Sequence, residues 1–547
     1  MRLAVAVEGL RFHSTPNQRQ RKSDGCPTFA KAYVGRKRWA QPLRTLCLRF
    51  RWISRFPLAT IALLTPAVLL VHGYHPLADD GAVYVTGIKK LANPSLYQSD
   101  AVFATSPTRL SIFAHVLAPL LHWSSLPVVL LVCHLASIFL FLLGARQLAT
   151  RIFSDRRSSW GAVLLAACCF TLPVAGTSLS IMDPYATARS FSTPLGLFAL
   201  AAVLDENWAG SMLWLGFAAL LHPLMAGYTA ITMLTLALAQ RKMWRALGLM
   251  FAIGWLGSAV IFLATHAADS GLAYNRAALS RSYFFLSSWQ WYEYPGLVIP
   301  LLLLGVAGFR SRLPWAARAL AISATFPGAW ALLTSLCFVH RSGSLLLARL
   351  QLLRTFHLAY IAGVLLAGGM LGRCSRQHMR AVAALCLLAS GALFAGQRLT
   401  YPESNHVEWP GTKPRNLWRE AFLWIRDDTP SDAIFALDND YIESPGDDAQ
   451  GFRATAERSA VADWFKDGGI AANFPQAAAL WWQGSTATGQ LNQASDEQRL
   501  ARLQPLGVSW IVLPVGAKTG FPCPFTNARV RVCRLTGALL HGADSAK

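Results

Sequence analysis

Two acidic residues stand side by side early in the chain, in the segment His75-Pro76-Leu77-Ala78-Asp79-Asp80-Gly81, directly after an apolar run. An adjacent acidic pair that opens a helix offers a general base or ligands for a divalent cation. The alternative is that Asp79 or Asp80 caps the helix by accepting hydrogen bonds from its free N–H groups. The pair is therefore the first candidate for a site.

A second acidic position follows in Ile181-Met182-Asp183-Pro184-Tyr185-Ala186-Thr187-Ala188-Arg189, which leads directly into another apolar run. Asp183 and Arg189 at such a place could hold a substrate or a phosphate-bearing head group. A turn residue followed by an arginine that extends toward water would give the same pattern.

Two further stretches place polar groups where apolar runs begin or end. His222 precedes Pro223 within a long apolar stretch, where it either faces a cavity or is a hydrogen-bonded histidine at a helix end. Arg349, Gln351 and Arg354 precede another run, and clustered basic groups there suggest an anion such as a lipid phosphate. These three residues are predicted to bind substrate.

The elements that carry these residues are membrane spans. Of the 547 residues, 54% are hydrophobic and only 14% are charged, far fewer than the roughly 25% of soluble proteins. Runs long enough to cross a bilayer predict about eleven spans: Pro57–Tyr74, Leu126–Leu148, Trp160–Thr177, Phe191–Leu204, Ser211–Leu224, Ala226–Ala239, Trp244–Ala264, Pro295–Phe309, Leu320–Val339, Phe356–Leu371 and Ala381–Ala395.

The distribution of basic residues predicts the orientation. The net charge of +22 is concentrated in Met1–Phe56, expected to be a disordered cytoplasmic tail, and in alternate short loops. This pattern is typical of membrane proteins, so no nucleic-acid partner is expected. It predicts a cytoplasmic N-terminus and an exported C-terminus in the inner membrane of a bacterium. The cytoplasmic loops then contain Arg146, Arg151, Arg156, Arg157, Arg241, Lys242, Arg245, Arg310, Arg312, Arg318, Arg373, Arg376 and Arg380.

The first outer loop, residues 75–125, is long and has two stretches with apolar residues at helical spacing. Asp80–Ala92 and Thr108–Trp123 are predicted to be amphipathic helices at the membrane interface, because a span at Thr108–Trp123 would reverse every later loop. The membrane domain is therefore predicted to cover residues 57–396.

Residues 397–547 have the composition of a soluble α/β domain. Asn416–Asp428 is predicted to be a helix, and four strands are predicted. Cys523 and Cys533 lie close together, and they could form a disulfide in an exported domain. The predicted strands are Ala433–Leu437, Ser459–Asp463, Val508–Pro514 and Ala528–Leu535.

The order of these parts resembles the C-type (GT-C) glycosyltransferase superfamily, which includes the aminoarabinose transferases and the protein O-mannosyltransferases. Asp79 and Asp80 match the acidic motif of the long first outer loop in those enzymes, and Asp183 matches their second acidic motif more loosely. The motifs cover residues 57–240, and the later chain matches in topology. The chain departs from the aminoarabinose transferases at Ser106-Pro107-Thr108-Arg109, where they have Lys-Pro-Pro, and at His222-Pro223, where they have Thr-Lys-Gly-Pro.

The resemblance implies a mainly α, GT-C-like transmembrane bundle. It also implies sugar transfer from a polyprenyl-phosphate or polyprenyl-pyrophosphate donor to a glycan, lipid or protein acceptor at the outer face. Asp79 or Asp80 would then act as the base or bind a divalent cation, and Arg349 and Arg354 would stabilise the leaving phosphate. Two other classes remain open: a transporter or flippase of a lipid-linked intermediate, and a non-catalytic assembly or sensor protein.

Overall fold

A computed structural model describes residues 57–266, 271–310, 312–375 and 377–535 of the protein. The predicted N-terminal tail lies outside this part. The described chain is mainly helical. Its first helices are α1 Pro57–His72, α2 Asp80–Ala92, α3 Ala101–Arg109, α4 Phe113–Leu117, α5 Leu126–Ile152, α6 Arg156–Cys168, α7 Ala188–Leu204, α8 Trp208–Leu221, α9 Pro223–Gln240 and α10 Trp244–Thr265. The next are α11 Leu272–Leu279, α12 Pro295–Phe309, α13 Trp315–Phe338, α14 Leu345–Arg349, α15 Phe356–Gly372 and α16 Met379–Thr400.

The protein is a membrane protein, because six stretches of helix in its described part are long and apolar enough to cross a bilayer. The longest helix, α5, has 27 residues and begins with Pro127 in its first turn, where a missing N–H costs nothing. At 1.5 Å per residue it extends about 40 Å, more than the hydrocarbon core needs. The six stretches are Leu126–Ile152, Pro223–Gln240, Trp244–Thr265, Trp315–Phe338, Leu345–Gly372 and Met379–Thr400.

Shorter apolar helices occupy four further predicted spans, α1, α7, α8 and α12. The predicted span Trp160–Thr177 is wrong in its second half. Helix α6 ends at Cys168, and the chain then forms a hairpin of β1 (Pro173–Val174) and β2 (Leu179–Ser180). Pro173 disfavours helix in the residue before it, and Gly176 adopts a φ of 64°, which suits the turn. This hairpin borders the cavity described below.

Close packing in the bundle depends on small residues where α6 meets α15. A side chain at Gly368 would place its Cβ 2.5 Å from the carbonyl oxygen of Gly161, so two backbones touch at this point. Without water to drive association inside a bilayer, such small residues allow the dispersion contacts that hold helices together. The end of α15 also approaches the start of α6 through Gly372.

Residues 75–125, the predicted first outer loop, contain the predicted helix Asp80–Ala92 with the predicted bounds. The predicted helix Thr108–Trp123 is shorter: α4 continues into a 3-10 helix, and together they cover Phe113–His122. Its apolar residues Phe113, Ala114 and Leu117 pack against Ile88 of α2, so the stripe faces protein. Helix α3 was not predicted.

Residues after Thr400 form the α/β domain. Its helices and strands are α17 Leu417–Asp428, β3 Ile434–Ala436, α18 Phe452–Ala456, β4 Ser459–Ala460, α19 Lys466–Asn473, α20 Pro475–Ala487, α21 Asp496–Leu503, β5 Trp510–Pro514, β6 Phe525–Thr526 and β7 Val530–Arg534. The predicted helix and all four predicted strands are present, and β6 is additional. The mixed sheet has the order β4-β3-β5-β7-β6, parallel on the β4 side and antiparallel on the β6 side. A disulfide joins Cys523 to Cys533.

Buried charges tie this domain to the first outer loop. Arg453 contacts the carboxylate of Asp100 in that loop and both oxygens of Asp467, at 3.0 and 2.9 Å. Lys89 pairs with Glu457 at 2.6 Å. Since buried charges are costly unless paired, these contacts fix the domain against the loop that carries the acidic pair.

Candidate functional site

A cavity of about 1500 Å³ lies where residues 75–125 (the predicted first outer loop), the β1–β2 hairpin, the segment before α15 and the α/β domain meet. Its walls combine acidic, basic and aromatic side chains from segments that are far apart in the sequence. Those that matter for chemistry are Asp79, Asp80, Tyr84, Asp183, Tyr185, His222, Arg281, Tyr283, Trp289, Arg349, Gln351, Arg354, Glu443 and Lys466.

The acidic pair faces this cavity, and a lysine bridges it. The ammonium of Lys466 forms an ion pair with Asp79 and lies 3.3 Å from Oδ1 of Asp80. The hydroxyl of Tyr185 donates a hydrogen bond of 3.0 Å to Oδ2 of Asp79. Both oxygens of Asp79 are therefore engaged, whereas the second oxygen of Asp80 has no hydrogen-bond partner among the described residues.

Asp79 precedes α2 but makes no side-chain cap hydrogen bond to it. Its φ of 49° and ψ of −126° lie outside the regions that a residue with a side chain normally adopts. Such a conformation costs on the order of 1–3 kcal/mol and persists only where its surroundings enforce it. Here the Asp79 amide donates to the side chain of Gln450, and the Asp79 carboxylate binds Tyr185 and Lys466. Asp79 therefore does not cap α2, and its contacts with Tyr185 and Lys466 hold its carboxylate at the cavity.

Lys466 begins α19 of the α/β domain, 386 positions after Asp80. Desolvation lowers the pKa of its ammonium to about 8, although two carboxylates lie beside it. The lysine is thus mostly charged at neutral pH, and it compensates part of the negative charge of the pair.

Asp183 lies on the cavity wall, 5% exposed, but Arg189 does not line the cavity. The guanidinium of Arg189 lies behind the wall, where it donates to Asp183 at 2.5 Å and to the carbonyl oxygen of Ser180. A buried arginine that is already paired with a carboxylate has little left to offer a ligand, and substrate binding by Arg189 stays a prediction. The contact of Arg189 positions Asp183.

The basic segment before α15 contributes unequally. Arg349 lines the cavity, but its guanidinium donates to the carbonyl oxygens of Ala472 and Tyr274 and lies 3.5 Å from the Tyr274 ring. Arg354 donates only through Nε, to Thr177 at 3.3 Å, and lies over the Tyr283 ring. Within the described part of the chain its two terminal nitrogens have no hydrogen-bond partner, so Arg354 is the better anion ligand of the two.

Gln351 is 8% exposed and lies between these arginines with a left-handed φ of 50°. Its backbone oxygen accepts a hydrogen bond of 2.9 Å from the hydroxyl of Tyr228 in α9, which fixes the turn. Its side-chain Nε2 reaches Asn473, while Oε1 is buried without a partner among the described residues. Because this oxygen is an unpaired hydrogen-bond acceptor in a residue of the cavity wall, it can accept a hydrogen bond from a ligand.

His222 lines the cavity and also caps α9, since its Nδ1 accepts from the amide of Met225 at 3.4 Å. Both sequence interpretations of this residue therefore hold in part. His357, at the start of α15, bonds the carbonyl oxygen of Ile181 at 2.8 Å and so connects the Asp183 loop to the Arg354 segment.

Sequence reasoning missed Lys466, Tyr185 and Arg281. Arg281 donates to the backbone of Trp464 and Phe465, directly before Lys466, at 2.6 Å each. Tyr185 had a weak signal, because it stands two residues after Asp183. Lys466 had none, because only the folded chain brings it to Asp79.

The donor set does not fit a divalent cation. Among the residues that the structure describes, no group of three or more His, Cys, Asp or Glu side chains could hold a metal ion. The position that a cation would take between Asp79 and Asp80 belongs to the Lys466 ammonium. Hard divalent cations need several oxygen ligands, and two carboxylates already bound to lysine supply too few.

Comparison with solved structures finds the oligosaccharyltransferase of Archaeoglobus fulgidus. Its AglB complex with an inhibitory peptide and a dolichol-phosphate gives a TM-score of 0.38 at 12% identity, covering 85% of this chain and 70% of that one. The apo form gives 0.39 at 13% identity, covering 84% and 69%. The complex with Zn and sulfate gives 0.39 at 12% identity, covering 84% and 67%.

TM-scores and identities this low assign neither a family nor a function to the present chain. No family model and no curated protein matches the sequence.

Proposed function

We propose that the protein is a membrane glycosyltransferase that moves a sugar from a polyprenyl-phosphate or polyprenyl-pyrophosphate donor to an acceptor hydroxyl. The observation that carries the proposal is the convergence of Asp79, Asp80, Asp183 and Arg354 on one cavity beside the membrane spans. Helix capping or lipid contact by single residues does not require such convergence. Carboxylates that can take a proton and an arginine that can hold a phosphate are what sugar transfer from a phosphate needs.

Asp80 is the base in this proposal. The acceptor oxygen bonds to the anomeric carbon of the sugar, and its proton passes to the oxygen of Asp80 that has no hydrogen-bond partner among the described residues. The bond between the anomeric carbon and the phosphate oxygen breaks, and its electron pair leaves with the phosphate. Asp79, whose two oxygens are engaged, holds Lys466 and thereby orients the pair.

Arg354 receives the leaving phosphate. Its terminal nitrogens are available, and its Nε is anchored to the hairpin backbone, so the guanidinium is fixed in place before charge develops. Gln351, three residues earlier, has a side-chain oxygen without a hydrogen-bond partner among the described residues, and in this proposal it accepts from a sugar hydroxyl. Arg349 and Arg281 act as positioning residues, because their donors hold the α/β domain against the cavity.

The cavity wall also contains several aromatic side chains, among them Tyr84, Tyr283 and Trp289. Aromatic rings offer flat apolar faces to the C–H face of a sugar while polar groups bind its hydroxyls. A volume of about 1500 Å³ accommodates a sugar phosphate together with an acceptor. We further propose that the cavity opens at the outer face of a bacterial inner membrane, as the basic loops predict.

The test replaces Asp80 by asparagine. The same replacement is made at the neighbouring Asp79 for comparison, and at the exposed Asp432 as a matched control. Purified full-length protein in liposomes is given a panel of tritiated sugars on short polyprenyl phosphates, with cell-envelope lipids and glycans as acceptors. Loss of a general base should reduce transfer by about 10²–10⁴-fold in Asp80→Asn, while Asp432→Asn stays at the wild-type rate.

Equal transfer by Asp80→Asn and by the control would overturn the assignment. Movement of labelled donor across the liposome without cleavage of its phosphate bond would identify a flippase instead. A wild-type protein that neither cleaves nor moves any donor of the panel would favour the assembly or sensor class.

A further inference from the structure

A second cavity, of about 470 Å³, lies on the other side of α2. Asp80 lines the first cavity and Lys89 the second. Nine residues separate them, which is about 2.5 helical turns, so their side chains leave the helix in opposite directions. The second cavity shares none of the groups assigned to sugar transfer.

One wall of this cavity is basic. It contains four cationic side chains, Lys89, Arg415, Arg419 and Arg426, against the two carboxylates of Glu408 and Glu457. The carboxylates are used internally, since Glu457 binds Lys89 at 2.6 Å and Glu408 binds Arg419.

That leaves Arg415 and Arg426 for a ligand. Arg415 is exposed and has no hydrogen bond to any described residue. Arg426 donates Nε and Nη2 to Asp427, its exposed neighbour outside the cavity, and its Nη1 has no hydrogen-bond partner among the described residues. A buried hydroxyl adds a donor: Thr455 lines the cavity at 4% exposure, and its Oγ1 has no partner in the described chain. Two guanidinium groups and a hydroxyl form a set that binds phosphate.

Another part of the lining is apolar and belongs to a predicted membrane span. Leu121 of the 3-10 helix lies beside Leu126 and Leu130, one turn apart at the start of α5. This helix is long and apolar enough to cross the bilayer. A ligand that fills the cavity therefore meets both cationic groups and the first turns of this apolar helix.

We propose that this cavity binds the phosphate head group of an anionic phospholipid, with the acyl chains along the first turns of α5. The excess of cations excludes a zwitterionic head group as the preferred ligand, and the apolar wall favours a lipid over a free anion. The volume lies within the range of ligand pockets. The inference does not depend on glycosyl transfer.

The test uses full-length protein in detergent and native mass spectrometry with phosphatidylglycerol, phosphatidylcholine or inorganic phosphate. The double variant combines Arg415→Gln with Arg426→Gln. A second variant, Thr455→Val, removes the hydroxyl while keeping the side-chain volume. The matched control is Arg502→Gln, at an exposed position outside the cavity. Phosphatidylglycerol should bind the wild type and the control alike, and the double variant at least about tenfold more weakly. An unchanged melting temperature without lipid shows that the variants fold.

Equal retention of phosphatidylglycerol by the double variant and the control would overturn the proposal. So would equal retention of phosphatidylcholine and phosphatidylglycerol by the wild type. Inorganic phosphate that displaces the lipid completely at equal concentration would show that the site takes a free anion and not a lipid.

Discussion

Replacing Lys466 with methionine removes the ammonium group that contacts both Asp79 and Asp80 while keeping a long side chain in its place. The lysine has a pKa of about 8, so its ion pairs are present below that pH and lost above it. We therefore expect transfer activity of the wild type to fall as the pH rises through about 8. In Lys466→Met this decline should be absent, and in Lys466→Arg it should move to much higher pH, because a guanidinium stays charged.

The size of the effect at neutral pH follows from the distance. Two unit charges 3.3 Å apart, the separation of Lys466 and Asp80, interact with about 1 kcal/mol in water and about 5 kcal/mol at an effective dielectric constant of 20. Asp80 is 51% exposed and Lys466 27%, so solvent screening puts the value near the lower end, about 1–2 kcal/mol. The methionine variant should therefore lose roughly 5- to 30-fold in kcat/KM below pH 8.

Two measurements check this reasoning. The first is the pH profile of sugar release from the donor panel for wild type, Lys466→Met, Lys466→Arg and the exposed control Lys518→Met. The second needs no substrate: competitive acetylation across a pH series, read by mass spectrometry, gives the pKa of Lys466 directly. It should titrate near 8, more than two units below an ordinary lysine at about 10.4.

Titration of Lys466 near the ordinary lysine value would refute the argument. The same conclusion would follow from an alkaline decline that persists unchanged in Lys466→Met. If Lys518→Met lost activity to the same extent, the effect would not belong to the cavity.

Three further predictions concern the frame of the site. Arg453→Met should lower the free energy of unfolding by about 3–5 kcal/mol, measured by urea-dependent proteolysis, because two buried carboxylates lose their cation. Cys533→Ala should lower the stability of the α/β domain by about 2–3 kcal/mol, and unreduced peptides should show Cys523 and Cys533 linked. A reporter that works only outside the cytoplasm should be active after Gln397 and inactive within residues 373–380; the reverse pattern would contradict the predicted orientation.

Much of the fold could be predicted because it depends on local signals. Long apolar runs predicted the helices of the bundle, and alternation and turn residues predicted the strands. The error at Trp160–Thr177 came from reading hydropathy without Pro173, which stops the helix before the hairpin. The bounds of Asp80–Ala92 were right because an acidic start and an apolar stripe coincide there.

The site could be predicted only in part. Asp79, Asp80 and Asp183 could be predicted because each stands next to an apolar run. The basic residues before α15 could be predicted because they lie in a loop that is expected to be outside, where basic residues are uncommon. Lys466 belongs to a helix that contains Gly468 and Gly469, so local propensity argues against helix there. Tertiary packing overrides this propensity, because Gly468 admits the guanidinium of Arg281, which bonds the backbone just before Lys466. Such a contact cannot be read from a single sequence.

The α/β domain is part of the site, since the acidic pair depends on it for its conformation. The backbone of Asp79 is held at a cost on the order of 1–3 kcal/mol, and three contacts offset this cost. Tyr185 supplies one of them from the membrane part, whereas Gln450 and Lys466 supply two from the α/β domain. A hydrogen bond to a charged group contributes about 1.5–3 kcal/mol and a neutral one about 1 kcal/mol, so the two contacts from the α/β domain supply a large share of what offsets this cost. We therefore expect docking of the domain on residues 75–125 to favour the conformation in which Asp79 faces the cavity, and thereby to support the proposed catalysis.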